Sequence, residues 1–213
     1  MLFNLIKKDI LIIKKYVFLT LLIVIAIPPF FAWWAPHISP FLAFLISTVF
    51  AEFMICQYLS AKEAIYHKTT ALLCATPYYR SDLVKADYAF FIIIFVCCYI
   101  VYKIEAIFMP VLSKVSLLSV LSVFTFISLI YGIYIPIQYK LGYERTKFFF
   151  IIIIMASPFI FPTVFKSSYI TNVLFLNNIQ KDIKYVILVV LTVLIFSVSI
   201  IVSNSIYAKK ELF

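Results

Sequence analysis

Long apolar blocks alternate along this chain with short polar connections that carry most of its charged residues. An α-helix needs about 20 apolar residues to cross a bilayer, and six blocks approach or exceed that length. The pattern predicts an all-α membrane protein with six transmembrane helices in a single domain, residues 1–213. The blocks are Tyr16–Trp34, Phe41–Tyr58, Tyr88–Ile104, Val115–Tyr139, Phe148–Phe165 and Tyr185–Tyr207.

The residues before the first block form an amphipathic pattern of their own. Lys7 and Lys14 lie seven residues apart, as do Lys8 and Lys15, so each pair shares one face of a helix. Such a stripe opposite an apolar face predicts an interfacial helix over residues 1–15, with its lysines toward the lipid headgroups. The alternative is a charged flank of the first span. The apolar face holds Leu2, Phe3, Ile6, Ile10 and Ile13.

Between the second and third blocks lies a segment that is helical in pattern but too polar to cross a membrane. Ser60 and Glu63 form an S-x-x-E capping box, which is typical of a helix start. Pro77 disfavours the helical conformation of the residue before it and predicts a stop nearby. Ser81 begins the next helix, which leads into the third span. We therefore predict a short helix over residues 60–77.

This short helix has one apolar face and one mixed polar face. A helix that lies on lipid usually has a polar face rich in Lys and Arg. The polar face here is rich in Tyr, His, Thr and Glu, which favours docking in a protein groove; the alternative is packing on its own bundle. The apolar side holds Ala61, Ala64, Ile65, Leu72 and Leu73, and the polar side holds Lys62, Glu63, Tyr66, His67, Thr69 and Thr70.

Composition and charge exclude a soluble protein and predict the orientation of the spans. Hydrophobic residues make up 65% of the chain and charged residues 13%, and the mean hydropathy is +1.12. Thirteen of the 18 Lys and Arg residues lie in the N-terminal segment, the second and fourth connections and the tail. Because basic residues collect on the cytoplasmic side, both termini and residues 60–77 are predicted to be cytoplasmic. The net charge of +9 is therefore explained by basic residues that set the membrane topology and face anionic lipids, and it does not indicate binding of nucleic acid.

Candidate chemistry inside the spans is sparse. Glu52 is the clear ionisable residue within an apolar block, where a carboxyl group must be protonated or paired. It is a candidate for the substrate path or for gating, and the alternative is a structural interhelical hydrogen bond. The two glycines, Gly132 and Gly142, cannot form a phosphate-binding loop. Neither the His nor the Cys residues have metal-ligand spacing, so no catalytic or metal site is predicted.

Four stretches resemble small bacterial type-2 ABC transporter permeases. They are NLIKKDILIIKKY near the start, LLCATPYYRSDLVKADY over Leu72–Tyr88, PIQYKLGYERTK over Pro136–Lys147 and SIIVSNSIYAKKELF at the end. Each match is loose, but their order and spacing agree over most of the chain. The similar proteins include membrane subunits of exporters for phenol-soluble modulins, which are amphipathic cytolytic peptides, and bacteriocin-immunity transporters.

The resemblance implies a half-transporter in the bacterial plasma membrane that pairs with a second permease, identical or paralogous. Separate ATP-binding subunits would hold ATP and Mg, so this chain would be neither an enzyme nor a cofactor carrier. The helix over residues 60–77 would be the coupling helix. Its predicted contacts with the ATPase are Glu63, Tyr66, His67, Lys68, Leu72, Leu73, Pro77 and Arg80.

The implied function is ATP-driven export of amphipathic or hydrophobic peptides or toxins. Identity of the cargo and direction of transport stay open at this point. One alternative is a membrane immunity or accessory protein that transports nothing. A second alternative is a proton-coupled carrier that uses Glu52.

Overall fold

Five long helices make up most of what the computed structural model describes, namely residues 2–34, 40–65, 80–148, 151–152, 155 and 181–208. Each helix is long and apolar enough to cross a membrane. A 3-10 turn, Pro110–Lys114, connects the third helix to the fourth. The helices are α1 (Leu2–Trp34), α2 (Pro40–Ile65), α3 (Arg80–Phe108), α4 (Leu117–Leu141) and α5 (Lys181–Ala208).

The ends of α4 show how the sequence sets the helix boundaries. Ser116 caps its start, because its side-chain oxygen accepts a hydrogen bond from the Ser119 N–H at 3.2 Å. Gly142 ends it with a φ of 80°, and its N–H donates to the Gln138 carbonyl at 2.8 Å. Helical structure resumes over residues 143–148. There a hydrogen bond to Glu144 raises the pKa of the partly exposed Lys147 ammonium.

The five helices differ greatly in how far they are covered by protein. In α2, 78% of the apolar stretch is buried, whereas only 17% is buried in α1 and in α5. The central helix α2 packs on α1, α3 and α4, while α5 packs on α4 and α3. Contacts between Tyr16 and Tyr58, whose rings stack with centroids 3.9 Å apart, join α1 to α2.

Helices that follow one another along the chain are antiparallel from α1 to α4, whereas α4 and α5 run in the same direction. Phe124 lies beside Phe196 with ring centroids 6.0 Å apart, and Tyr139 lies beside Tyr207 at 5.1 Å. The residue numbers therefore increase together along the two helices. As a result, one end of the bundle contains the first residues of α1 and α3. The last residues of α2, α4 and α5 lie at the same end. We call this the inner end and the opposite end the outer end.

The structure corrects two of the predicted helix boundaries. Residues 2–15 are the first part of α1 and not a helix of their own. The reason is that Ile13 and Val24 are buried in the same apolar cluster, so the buried stripe continues across the predicted boundary. The prediction that a helix begins at Ser60 is also wrong, because α2 continues to Ile65 and the Ser60 hydroxyl donates to the Cys56 carbonyl at 2.8 Å.

Other predicted boundaries agree with the structure or fall outside its described part. The first block ends at Trp34, as predicted, and α3 begins at Arg80, one residue before the predicted cap. Most of the fifth block, and residues 66–79 of the predicted coupling region, lie outside the described residues. Glu105 is partly buried in the last turn of α3.

Candidate functional site

Polar side chains from four helices meet in the inner half of the bundle. Such groups are costly within a bilayer unless they are paired, so a cluster of them is a candidate for function. We call this cluster the inner polar layer. It consists of Ser60 on α2, Asp87 and Tyr88 on α3, Tyr131, Gln138 and Tyr139 on α4, and Ser199 and Ser203 on α5.

Tyr88 joins α3 to α5. Its hydroxyl lies 2.5 Å from the Ser199 hydroxyl oxygen and 3.0 Å from that of Ser203. The two serines are one helical turn apart on α5, so they present both oxygens to the same tyrosine. All three side chains are buried. This contact fixes the position of α5 along α3.

Gly132 brings α4 into close contact with α5. The Ser199 hydroxyl donates to the Gly132 carbonyl at 2.6 Å. Since that hydroxyl has a single proton, Tyr88 must donate to Ser199, and Ser203 must donate to Tyr88. A Cβ atom at Gly132 would lie 3.0 Å from the Ile195 Cγ2 atom, so a larger residue would require Ile195 to shift. The hydrogen bonds therefore form one chain across α3, α4 and α5.

Asp87 joins α3 to α4 through two tyrosines. The Tyr139 hydroxyl donates to the Asp87 carboxylate, and the Tyr131 hydroxyl donates to the Asp87 backbone carbonyl at 3.3 Å. The Tyr131 ring also stacks on Phe91, with centroids 4.1 Å apart. Asp87 lies near the start of α3, so these bonds fix the inner end of that helix against α4.

Ser60 joins α2 to α4. The Gln138 side-chain amide donates to the Ser60 hydroxyl oxygen at 2.5 Å, while the Ser60 proton is used in the bond to its own helix. This link lies five residues before Ile65, the last residue of α2. Both helices that flank residues 66–79, α2 before them and α3 after them, are therefore hydrogen-bonded to α4.

Glu52 is buried on α2 but does not belong to these bonds. It is 1% exposed, and neither carboxyl oxygen has a hydrogen-bond partner among the described residues. It precedes Ser60 by eight residues, about 12 Å along the helix, and so lies nearer the middle of the bundle. The Ser128 hydroxyl on α4 is likewise buried without a partner in the described part of the chain. A carboxyl group in this position needs a proton or a partner that the described residues do not supply.

Two of the eight predicted ATPase-contact residues flank the segment that lies outside the described residues. Glu63 lies in the last turn of α2 and Arg80 is the first residue of α3, but the positions of their side chains are not described. The residues between them that were predicted as contacts lie outside the described residues: Tyr66, His67, Lys68, Leu72, Leu73 and Pro77.

Sequence reasoning missed the inner polar layer, although it left signals in the sequence. Ser199 and Ser203 are four residues apart in an apolar span, which places both hydroxyls on one face. Gly132 is a small residue in another span, and small residues allow helices to approach closely. What the sequence could not supply is the pairing, because Tyr88 and its partners are more than 100 residues apart.

The described residues contain no group of three or more His, Cys, Asp or Glu side chains that could hold a metal ion. A protein-family model described as "ABC-2 family transporter protein" matches residues 4–208. No curated protein and no solved structure matches the chain.

Proposed function

This chain belongs to the ABC-2 family of transporter proteins, and we propose that it is the permease subunit of an ATP-driven exporter. The match confirms the resemblance seen in the four sequence stretches and makes the chain an integral membrane component of transport. We propose that ATP hydrolysis takes place on separate ATP-binding subunits. Support for this division comes from the sequence, whose two glycines form no phosphate-binding loop.

The parallel arrangement of α4 and α5 supports six spans. If both helices cross the membrane in the same direction, the chain between Gly142 and Lys181 has to cross it an odd number of times. That requirement fits the predicted fifth block, Phe148–Phe165, and both termini then lie on the side of the inner end. The distribution of basic residues supports a cytoplasmic location for that side, in a bacterial plasma membrane.

The observation that carries the proposed coupling role is the position of the inner polar layer. It binds the helix before residues 66–79, α2, to α4 through Ser60, and the helix after them, α3, to α4 and α5 through Asp87 and Tyr88. We propose that closure of the ATPase subunits pushes on residues 60–77. The hydrogen-bonded helices would then move together and change access from one side of the membrane to the other.

We propose an amphipathic or hydrophobic peptide or toxin as cargo, and a second permease, identical or paralogous, as partner. The resemblance to phenol-soluble modulin exporters and bacteriocin-immunity transporters supports both. The abundance of aromatic residues, 23 Phe and 15 Tyr, suits an apolar cargo better than an ion or a sugar.

The first experiment is purification of the tagged chain in a mild detergent together with an ATP-binding subunit encoded beside it. We expect the two to co-purify. Alanine substitution of Glu63, Tyr66 and Leu72 should abolish transport-coupled ATPase activity while membrane insertion stays intact. Val111→Ala, at the exposed outer end, is the matched control and should leave activity unchanged.

Two outcomes contradict this proposal. Unchanged coupled activity in the triple alanine variant would remove the coupling role of residues 60–77. Protection of cells against a toxin in the absence of any ATPase would instead support an immunity or accessory protein. A second candidate function, proton-coupled transport, is favoured by one observation: the carboxyl group of Glu52 is buried and has no hydrogen-bond partner among the residues that the structure describes.

A further inference from the structure

We propose that the exposed face of the first half of α1 is a binding site for an anionic phospholipid. This proposal is independent of the transport function. The face is formed by Lys7, Lys8, Leu11, Ile12, Lys14 and Lys15, which we call the basic face.

The opposite face of the same helix segment is covered by protein, which fixes the direction of the basic face. Leu5, Asp9 and Ile13 are 3%, 2% and 0% exposed. Lys7 and Lys14 are seven residues apart and point away from this buried side. Because α1 is anchored through its buried side, the lysines are presented outward in a fixed arrangement.

Most of the positive charge on the basic face is uncompensated. Lys8 forms an ion pair with Asp9 at 2.9 Å, so its charge is partly neutralised and its position is fixed. Within the described part of the chain, Lys7, Lys14 and Lys15 form no ion pair. The ammonium groups of these three lysines are therefore available to an anion.

Apolar side chains between the lysines distinguish this face from a simple patch of charge. Leu11 is 61% exposed and lies beside Ile12, between the two pairs of lysines. Together with Lys7 and Lys8 these side chains line a shallow cleft of about 490 Å³. Ammonium groups next to apolar side chains match a molecule with a phosphate next to hydrocarbon.

Further along α1 the exposed residues become wholly apolar. Phe18, Leu22 and Ile25 are exposed and continue the direction of the basic face. A phospholipid whose phosphate lies at Lys7 and Lys14 could therefore lay its acyl chains along the same helix. An acidic protein would match the lysines but would gain nothing from this apolar continuation, so charge and hydrophobicity together favour the lipid.

The test measures lipid retention by the full purified chain. Phosphatidylglycerol or phosphatidylcholine with the same acyl chains is titrated into the detergent-solubilised protein, and bound lipid is counted by native mass spectrometry. We expect tighter binding of phosphatidylglycerol. Each lysine near an anionic surface contributes about a fivefold change in affinity, so the double variant Lys7→Gln, Lys14→Gln should lose roughly 25-fold in affinity for phosphatidylglycerol.

Two further variants separate the site from general attraction to charge. Leu11→Gln should also weaken phosphatidylglycerol binding, several-fold, because it removes the apolar part of the site. The matched control neutralises Lys103 and Lys184 at the outer end and should change nothing. The N-terminal lysines also influence membrane insertion, so the lysine variants could change more than lipid binding. The comparison of the two lipids on the unaltered chain avoids this problem because it needs no variant.

Several results would overturn the proposal. Equal retention of the two lipids by the unaltered chain excludes an anionic lipid site. If the double lysine variant weakens lipid binding but Leu11→Gln does not, the cause is general surface charge or an acidic protein partner. Binding of inorganic phosphate as tight as that of phosphatidylglycerol would mean that the acyl chains play no part.

Discussion

Aromatic packing is present in both halves of the helix bundle, but the two halves differ in how far side-chain hydrogen bonds between helices add to it. In the outer half, aromatic rings pack around Phe44, whose centroid lies 4.9 Å from that of Tyr102 and 6.2 Å from that of Phe95. In the inner half, directional hydrogen bonds link four helices. Ring packing tolerates small shifts, whereas hydrogen bonds fix one register. The inner half is therefore suited to move as one unit, and the outer half to accommodate that movement.

The largest effect on stability is expected in the outer half. Phe44 is fully buried, so Phe44→Ala should leave a cavity between α2 and α3 and lower the free energy of unfolding by about 3–5 kcal/mol. Phe30→Ala is the matched control, because that ring is 52% exposed and should contribute little. Unfolding in mixed micelles with increasing SDS measures both. Equal losses in the two variants would mean that the aromatic packing of the outer half is not what stabilises it.

The next effect concerns the close approach of α4 and α5 in the inner half. Gly132→Leu places a side chain where even a Cβ atom would lie 3.0 Å from the Ile195 Cγ2 atom. We expect a loss of about 1–3 kcal/mol from overpacking, together with loss of the Ser199 bond to the Gly132 carbonyl. Ile133→Leu, one residue further and facing outward, is the control. A Gly132→Leu protein as stable as the control would show that the two helices can separate freely.

The sequence predicted the helices of this protein better than their relations to one another. Continuous apolar blocks sufficed for five long helices, because any segment within a bilayer has to satisfy its own backbone hydrogen bonds. The prediction that Ser60 caps a helix was wrong because the S-x-x-E pattern is ambiguous. The same residues occur when the serine lies inside a helix and its hydroxyl donates to a carbonyl one turn earlier. The structure decides this by extending α2 past Ser60.

The candidate site was the least predictable part. Burial of Glu52 could be expected from its apolar surroundings in the sequence, and it is confirmed. The inner polar layer could not be predicted, since it depends on α4 and α5 being parallel neighbours. No pattern within either helix contains that information.

Loss of the Tyr88 hydrogen bonds should lower the free energy of unfolding less than the two changes in packing do. Tyr88→Phe removes the hydroxyl that Ser199 and Ser203 share. Interhelical hydrogen bonds in membranes contribute about 0.6 kcal/mol on average and up to about 1.7. A double-mutant cycle with Ser199→Ala should give a coupling energy in that range.

The corresponding variant in the outer half sharpens this result. Tyr102 also donates to backbone carbonyls, those of Pro40 at 3.3 Å and Leu112 at 3.1 Å. Tyr102→Phe should cost a similar amount of stability but leave transport-coupled ATPase activity unchanged, whereas Tyr88→Phe should reduce it. If both variants reduce coupling equally, the functional distinction between the two halves is wrong.

The smallest effect on stability is expected for Glu52→Gln. The substitution keeps the shape of the side chain, and the Glu52 carboxyl has no hydrogen bond to lose among the described residues. One buried polar group replaces another of the same shape, so we expect the free energy of unfolding to change less than in the variants above. Transport driven by ATP should continue, because the proposed coupling runs through the inner polar layer, from which Glu52 is separate. Transport assays across a pH gradient without ATP are the decisive measurement: a carrier that depends on a proton at Glu52 would lose all activity in this variant, and that loss would replace the ATP-driven mechanism with a proton-coupled one.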